Sequence, residues 1–219
     1  MSGEMESYAY GVWIAVAFNV ALFGGFVYAF LRPEKRREWR SLGVFAAFIV
    51  ALFTEMYGFP LTIYLLSGLL GRSYPALDPF SHKFGHLWVV ALGGSGFVWM
   101  LVMLVSSVLI WGGLAVMWSG WRQIHGAEGH LVTDGLYGRV RHPQYVGLLL
   151  LIVGFLIQWP TILTVLMAPI LIRTYVRLAR REEAELLERF GDEYRRYSDR
   201  VPALVPHLRP SERPAEVRR

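Results

Sequence analysis

The sequence predicts an all-α integral membrane protein with about five transmembrane segments, the last two forming a helical hairpin, followed by a cytoplasmic amphipathic helix. Three observations carry this. Of 219 residues, 54% are hydrophobic and only 18% are charged, against roughly a quarter charged in soluble domains, and mean hydropathy is +0.38. The deficit of charge is concentrated in long runs that reach or exceed the roughly 20 residues a helix needs to cross the hydrocarbon. Lys and Arg gather just beyond the ends of those runs, which accounts for the net charge of +5 as membrane orientation and leaves no case for a nucleic-acid partner. Cysteine is absent, so disulfides, thiolate metal sites and a cysteine nucleophile are excluded.

The first span is Ala9 to Leu31, free of charge between Glu6 and Arg32. Its acidic start and long apolar run differ from a cleavable signal, so it is expected to remain attached. Ser41 to Leu70 is longer than one crossing needs and contains Glu55, Gly58 and Pro60. We read it as one long helix kinked or tilted around Pro60, the alternative being that Pro60 ends the helix and a short interfacial piece follows. A polar connection, Gly71 to Gly85, leads to an interfacial piece at Leu87 to Leu92 and a third span from Phe97 to Trp121. Gly93, Gly94 and Gly96 separate these two pieces, and Gly112-Gly113 within the span suggests close helix packing.

After a polar stretch, Trp159-Pro160 divides the next apolar run into two short helices, Gln144 to Gln158 and Thr161 to Tyr175, which form the hairpin. Arg181 to Tyr197 sets Leu186, Leu187 and Phe190 on one side of a charged helix, an amphipathic pattern. Basic clusters at Arg32 to Arg40, Arg122 to Arg141 and Arg173 to Arg181 are expected to be cytoplasmic, with the N-terminus outside. The organisation is then 1–121 for membrane spans and acceptor access, 122–205 for a cofactor-binding loop, hairpin and C-terminal helix, and 206–219 for a flexible tail.

The chemistry-bearing residues fall in two places. The first is His130 to Gly147 (HLVTDGLYGRVRHPQYVG), with a turn signal at Asp134-Gly135 and Pro143 suited to the first turn of a helix. A helix N-terminus flanked by Arg141 and His142 is a ready site for a carboxylate or phosphate. The second is Glu182-Glu183, which can fold back under the same loop. Glu55, an ionisable group inside a span, is a separate functional candidate or a partner for His82, Lys83 or His86. His125, His130 and His142 lack a metal-ligand spacing, so no metal is expected.

His130 to Gly147, the Gln158-Trp159-Pro160 turn, and Arg180-Arg181-Glu182-Glu183 through Phe190-Gly191-Asp192-Glu193-Tyr194 to Val201-Pro202 together resemble the isoprenylcysteine carboxyl methyltransferase family and its phospholipid N-methyltransferase relatives. The resemblance implies an integral membrane methyltransferase using S-adenosylmethionine, bound on the cytoplasmic side between the Arg-His-Pro loop, the hairpin and the Glu-Glu helix. It leaves the acceptor open among a carboxylate, an amine and a thiol. On this reading His130, Leu131, Val132, Gly135, Tyr137, Arg141, His142, Pro143, Tyr145, Glu182 and Glu183 hold the cofactor, with Arg141, His142 and Glu183 as the catalytic set. Arg141, His142 and the helix N–H groups would take the cofactor's carboxylate, and Glu182 or Glu183 its ammonium or ribose. Tyr137 and Tyr145 would pack on adenine, or instead anchor the interface. The acceptor is expected to be lipophilic and to come from the bilayer. Two rivals stand beside this: an NADPH-dependent membrane reductase of the steroid 5-alpha-reductase type, for which Arg139, Arg141 and Arg181 are available, and a non-enzymatic scaffold or transporter.

Overall fold

The computed structural model describes residues 10–31, 36–70, 82–127 and 129–206. In chain order its helices are α1 (Trp13–Leu31), α2 (Arg36–Phe53), a π-helical turn (Thr54–Gly58), α3 (Leu61–Leu70), a 3-10 turn (His82–Gly85), α4 (Leu87–Ala91), α5 (Gly96–His125), α6 (Pro143–Gln158), α7 (Ile162–Phe190) and α8 (Asp192–Ser198). The described residues contain no strand, and the protein is an all-α integral membrane protein. Trp13–Leu31, Trp39–Gly58, Gly96–His125 and Ile162–Phe190 are long and apolar enough to cross a bilayer, and α6 is a shorter apolar helix. At 1.5 Å per residue α6 covers only about 24 Å of a hydrocarbon core of about 30 Å, whereas α5 and α7 project well beyond it. That overhang carries the C-terminal turns of both long helices out to the polar loop.

Two expectations need correction. Ser41 to Leu70 is not one kinked helix: α2 passes into the π turn, and the chain extends at Phe59 (φ −122°, ψ 120°) before α3 begins anew. Phe59 precedes Pro60, whose ring disfavours helical geometry in its predecessor. Glu55 caps this break. Its buried Oε2 accepts the Thr62 N–H at 2.8 Å, and Thr62 Oγ1 accepts the Ile162 N–H at 3.0 Å, tying α3 to the start of α7. Glu55 therefore does not pair with His86, whose Nδ1 meets the Gln158 carbonyl at 2.9 Å. The side chains of His82 and Lys83, the connection at 71–81, the start of the first span at Ala9 and the tail from 207 lie outside the described residues.

The second correction concerns Arg181 to Tyr197. It is not a separate helix, because α7 runs unbroken from Ile162 to Phe190 and stops only where Gly191 takes φ 55°. From Arg173 to Phe190 the sequence has neither Gly nor Pro and is rich in Leu, Arg, Glu and Ala, all strong helix formers. The hairpin itself is present: α6 and α7 are separated only by Trp159 to Thr161, and Thr161 and Thr164 form a reciprocal capping box at the start of α7. Gly85 fits against the Trp159 indole, which a Cβ would approach to 1.8 Å, and Trp88 donates its indole N–H to the Leu156 carbonyl at 3.0 Å. The segment before α5 is thereby fastened over the hairpin turn.

The principal partner of α6 is α5, and small residues make that possible. A Cβ on Gly147 would lie 2.6 Å from the Gly113 carbonyl oxygen and 2.5 Å from Met117 Cγ; one on Gly154 would lie 2.7 Å from Ile110 Cγ1. Gly120 lies opposite Pro143, so both helices present glycines seven residues apart along one seam. Leu148, Leu151, Ile152 and Phe155 of α6 join Phe45, Ile49 and Leu52 of α2 and Leu171 and Tyr175 of α7 in the core. α1 packs on α2, with Ile14 and Phe18 among its exposed residues.

The seam predicts opposite responses from neighbouring glycines. Gly147→Ala drives a Cβ into backbone and should cost about 1–3 kcal/mol. Gly112 has open space around it, so Gly112→Ala should be neutral or stabilising by up to about 1 kcal/mol. Thermal unfolding midpoints in detergent measure both; equal shifts would remove the packing argument.

Candidate active site

The site is assembled where the loop from α5 to α6 meets the end of α7. Asp134 and Gly135 turn the loop: the Tyr137 N–H donates to the Asp134 carbonyl at 3.0 Å, and Gly135 has φ 61°. Only glycine fits there, because a Cβ would lie 2.5 Å from Gln123 Oε1, the oxygen that accepts the Leu136 N–H at 3.3 Å. Gln123 of α5 thus holds the tip of the loop. At the far end Arg141 and His142 donate their backbone N–H groups to Pro202 and Ala203 at 2.9 and 3.1 Å, so the chain after α8 clamps the start of α6. Pro143 sits in the first turn, where its missing N–H costs nothing. A further tie is the Tyr197 hydroxyl, which donates to the Tyr137 carbonyl at 2.7 Å.

Five charged or ionisable side chains then converge. Glu183 Oε1 receives Arg141 Nη2 at 2.9 Å and lies 3.1 Å from His142 Nε2. Glu182 Oε2 is 3.4 Å from His142 Nδ1, and its Oε1 accepts the Tyr145 hydroxyl. Consecutive residues on α7 thus grip the imidazole from both edges, and whichever nitrogen carries the proton in the neutral ring has a carboxylate acceptor. The His142 side chain is only 4% exposed. Arg141 also donates from Nη1 to the Ser198 carbonyl at 2.9 Å, while its buried Nε–H has no partner among the described residues.

Beside this cluster is a cavity of about 210 Å³. His130, Leu131 and Val132 form one wall and Leu186, Arg189 and Phe190 of α7 another; Ile124, Tyr137, Arg141, Tyr194 and Tyr197 complete it. The main chains of Leu131 and Val132 pair with no other main chain among the described residues, so their polar groups are free for a ligand's edge. The tyrosines are hydrogen-bond donors throughout the physiological range. Burial, reinforced by Glu183, pushes Tyr194 up to about 12; burial, then Glu182, raises Tyr137, and burial, then Tyr194, raises Tyr197.

The residues expected from sequence therefore divide in two, joined by Arg141. His130, Leu131, Val132, Tyr137 and Arg141 line the cavity; Arg141, His142, Tyr145, Glu182 and Glu183 form the charge cluster. Gly135 and Pro143 shape the loop and the helix start and do not line the cavity. Tyr145 stacks on Tyr175 at 5.8 Å, inside the bundle. Sequence reasoning passed over Ile124, Arg189, Tyr194 and Tyr197 as lining residues. The signal for α7 was present in Leu186 and Phe190, which follow Glu182 at i+4 and i+8 on one helical face. Among the described residues no group of three or more His, Cys, Asp or Glu side chains converges to hold a metal ion.

Comparison with known proteins bears on this same region. A family model described as phospholipid methyltransferase matches residues 88–193. The chain is also 38% identical over 77 residues to a protein-S-isoprenylcysteine O-methyltransferase of Schizosaccharomyces pombe, an alignment covering 35% of this chain and 33% of that protein. The chain thus spans about a third of the length of that curated relative. No solved structure matches. Over residues 88–193, just under half of its length, the chain is therefore similar to the isoprenylcysteine and phospholipid methyltransferase-like family of membrane proteins.

Proposed function

We propose that the protein transfers a methyl group from S-adenosylmethionine to a lipophilic acceptor drawn from the bilayer. The observation that carries this reading is the position of Arg141, which lines an apolar, tyrosine-walled cavity and also belongs to the Glu182–Glu183 cluster. The donor set fits the cofactor. Leu131, Val132, Leu186 and Phe190 offer flat apolar contact for adenine, and the unpaired main chain of Leu131 and Val132 offers partners for its polar edge. The amino-acid end of the cofactor is a zwitterion, and here an Arg with an unused Nε–H stands beside two carboxylates. The cavity is smaller than the roughly 300–1,000 Å³ of drug-sized pockets, which suits the adenosine part with the remainder reaching toward Glu182 and Glu183.

When bound, the cofactor supplies an electrophilic methyl group on a sulfonium, open to in-line displacement. The residues of the chain then have to align and desolvate. Arg141 and Glu183 orient the amino-acid end, and the loop at His130 to Val132 covers the adenine from water. A carboxylate or thiolate acceptor needs no base. An amine acceptor must lose a proton, and the His142–Glu182–Glu183 cluster is the base in reach. In this scheme residues 1–121 supply acceptor access, 122–205 hold the cofactor and 206–219 are a tail. The N-terminus lies outside, and the site and C-terminus face the cytoplasm, where the basic clusters collect.

Isothermal titration calorimetry of the detergent-purified protein against S-adenosylhomocysteine and, in parallel, NADPH tests the reading. Saturable binding of S-adenosylhomocysteine alone is expected; binding of NADPH alone would move the protein to the reductases. Glu183→Gln and Arg141→Ala should each weaken S-adenosylhomocysteine by about 10- to 100-fold, the span expected for hydrogen bonds to charged groups. Wild-type affinity in both variants would sink the site assignment even if the cofactor class holds.

A further inference from the structure

The outer surface of α7 carries a feature that methyl transfer does not use. Arg173, Arg177, Arg180 and Arg181 are all exposed, and their spacing of i, i+4, i+7 and i+8 puts them on one side of the helix. Thr164, Ala168, Leu171, Tyr175 and Ala179, the buried residues of α7, define the opposite side. None of the four arginines has a hydrogen bond or ion pair among the described residues. No acidic residue interrupts the row: from Arg173 to Arg181 the sequence is RTYVRLARR, and the exposed acids Glu185 and Glu188 come only afterwards.

The depth of this row is what identifies its partner. Arg173 is flanked by exposed apolar side chains, Ile170 (57%) and Ile172 (40%). Tyr175, two residues on, stacks on Tyr145 of α6, and Gly147 of α6 in turn abuts Gly113 and Met117 of α5. At that level of α5, Trp111 (71%) and Trp118 (47%) are exposed, as aromatic rings are at a membrane boundary. The row therefore starts inside the edge of the apolar belt and climbs out of it over two turns. A cation at that depth is costly unless its aliphatic stem reaches up to a polar partner. A water-borne polyanion cannot follow the row down to Arg173, whereas a lipid headgroup is already there.

We propose that the outward face of α7 from Arg173 to Arg181 binds the phosphate headgroup of an anionic phospholipid, at a site distinct from the cavity on the inner side. The guanidiniums pair with phosphate oxygens, and the acyl chains lie along Leu166, Ile170 and Ile172. The inference stands independently of the methyl-transfer reading.

Electron spin resonance of the full chain reconstituted in phosphatidylcholine, with spin-labelled phosphatidylglycerol compared against spin-labelled phosphatidylcholine, gives the relative affinity directly. The wild-type protein should prefer the anionic label several-fold, and the preference should shrink in high salt. A basic residue near an anionic surface is worth up to about fivefold, so Arg173→Gln/Arg177→Gln should bring the preference close to that for phosphatidylcholine, while Arg173→Lys/Arg177→Lys keeps most of it. Arg122→Gln/Arg139→Gln removes as much charge from exposed positions off α7 and should leave the preference unchanged. No anionic preference in the wild type, or an equal loss in the Arg122/Arg139 control, overturns the proposal. Should the double glutamine variant fail to fold, Arg177→Gln alone carries the same test, with a smaller loss of the preference expected and an unchanged preference overturning the proposal.

Discussion

The close approach of α5 and α6 is the constraint from which the site follows. α6 is too short to span the hydrocarbon by itself, so its depth and tilt are fixed by what it lies against. Lipid tails give apolar helices no hydrophobic reason to associate, and contact has to come from fit. Gly113 and Gly120 on one helix and Gly147 and Gly154 on the other let the backbones approach until a methyl group no longer fits between them. That seam sets the height at which α6 begins, and hence where His142 and Arg141 stand. A looser seam would move both residues away from Glu182 and Glu183 without changing any residue of the site.

The other half of the site is placed by the length of α7. Because α7 continues for several turns past the level of Tyr175, Glu182 and Glu183 reach the loop as parts of a rigid rod. Burial of their partners makes the geometry demanding. Arg141 and His142 are largely withdrawn from water, and removing either carboxylate would leave a buried polar group unpaired, which costs more than the pairing contributes. The chain after α8 adds a second restraint by pairing Pro202 and Ala203 with the backbone of Arg141 and His142. Both neighbours of the loop, α7 and the 202–203 segment, are therefore needed to hold the Arg-His-Pro start of α6.

Much of this was legible in the residues. The charge-free runs marked α1, α5 and α6 nearly to their ends and the start of α7, though not its continuation to Phe190, because the bilayer imposes one length and one composition on whatever crosses it and says nothing of a helix beyond it. Asp134-Gly135 and Pro143 carried their own local geometry, a turn and a helix start. The break at Phe59 was only half legible. Pro60 marks the place, but whether a proline kinks or ends a helix depends on what else satisfies the freed backbone groups. Here the Glu55 carboxylate does so through Thr62, a contact seven residues away that no local pattern announces.

By itself, the sequence determined the membrane class, the order of the helices, the Arg-His-Pro loop and the acidic pair on α7. These are properties of short stretches in which each residue's own preference, or the lipid around it, decides the outcome. Only the tertiary structure decided that Arg141 joins the cavity to the carboxylates, that Tyr194 and Tyr197 wall the cavity, and that α6 leans on α5. Each of these requires residues tens of positions apart to meet, and that meeting is set by shape complementarity along the glycine seam and by the unbroken length of α7.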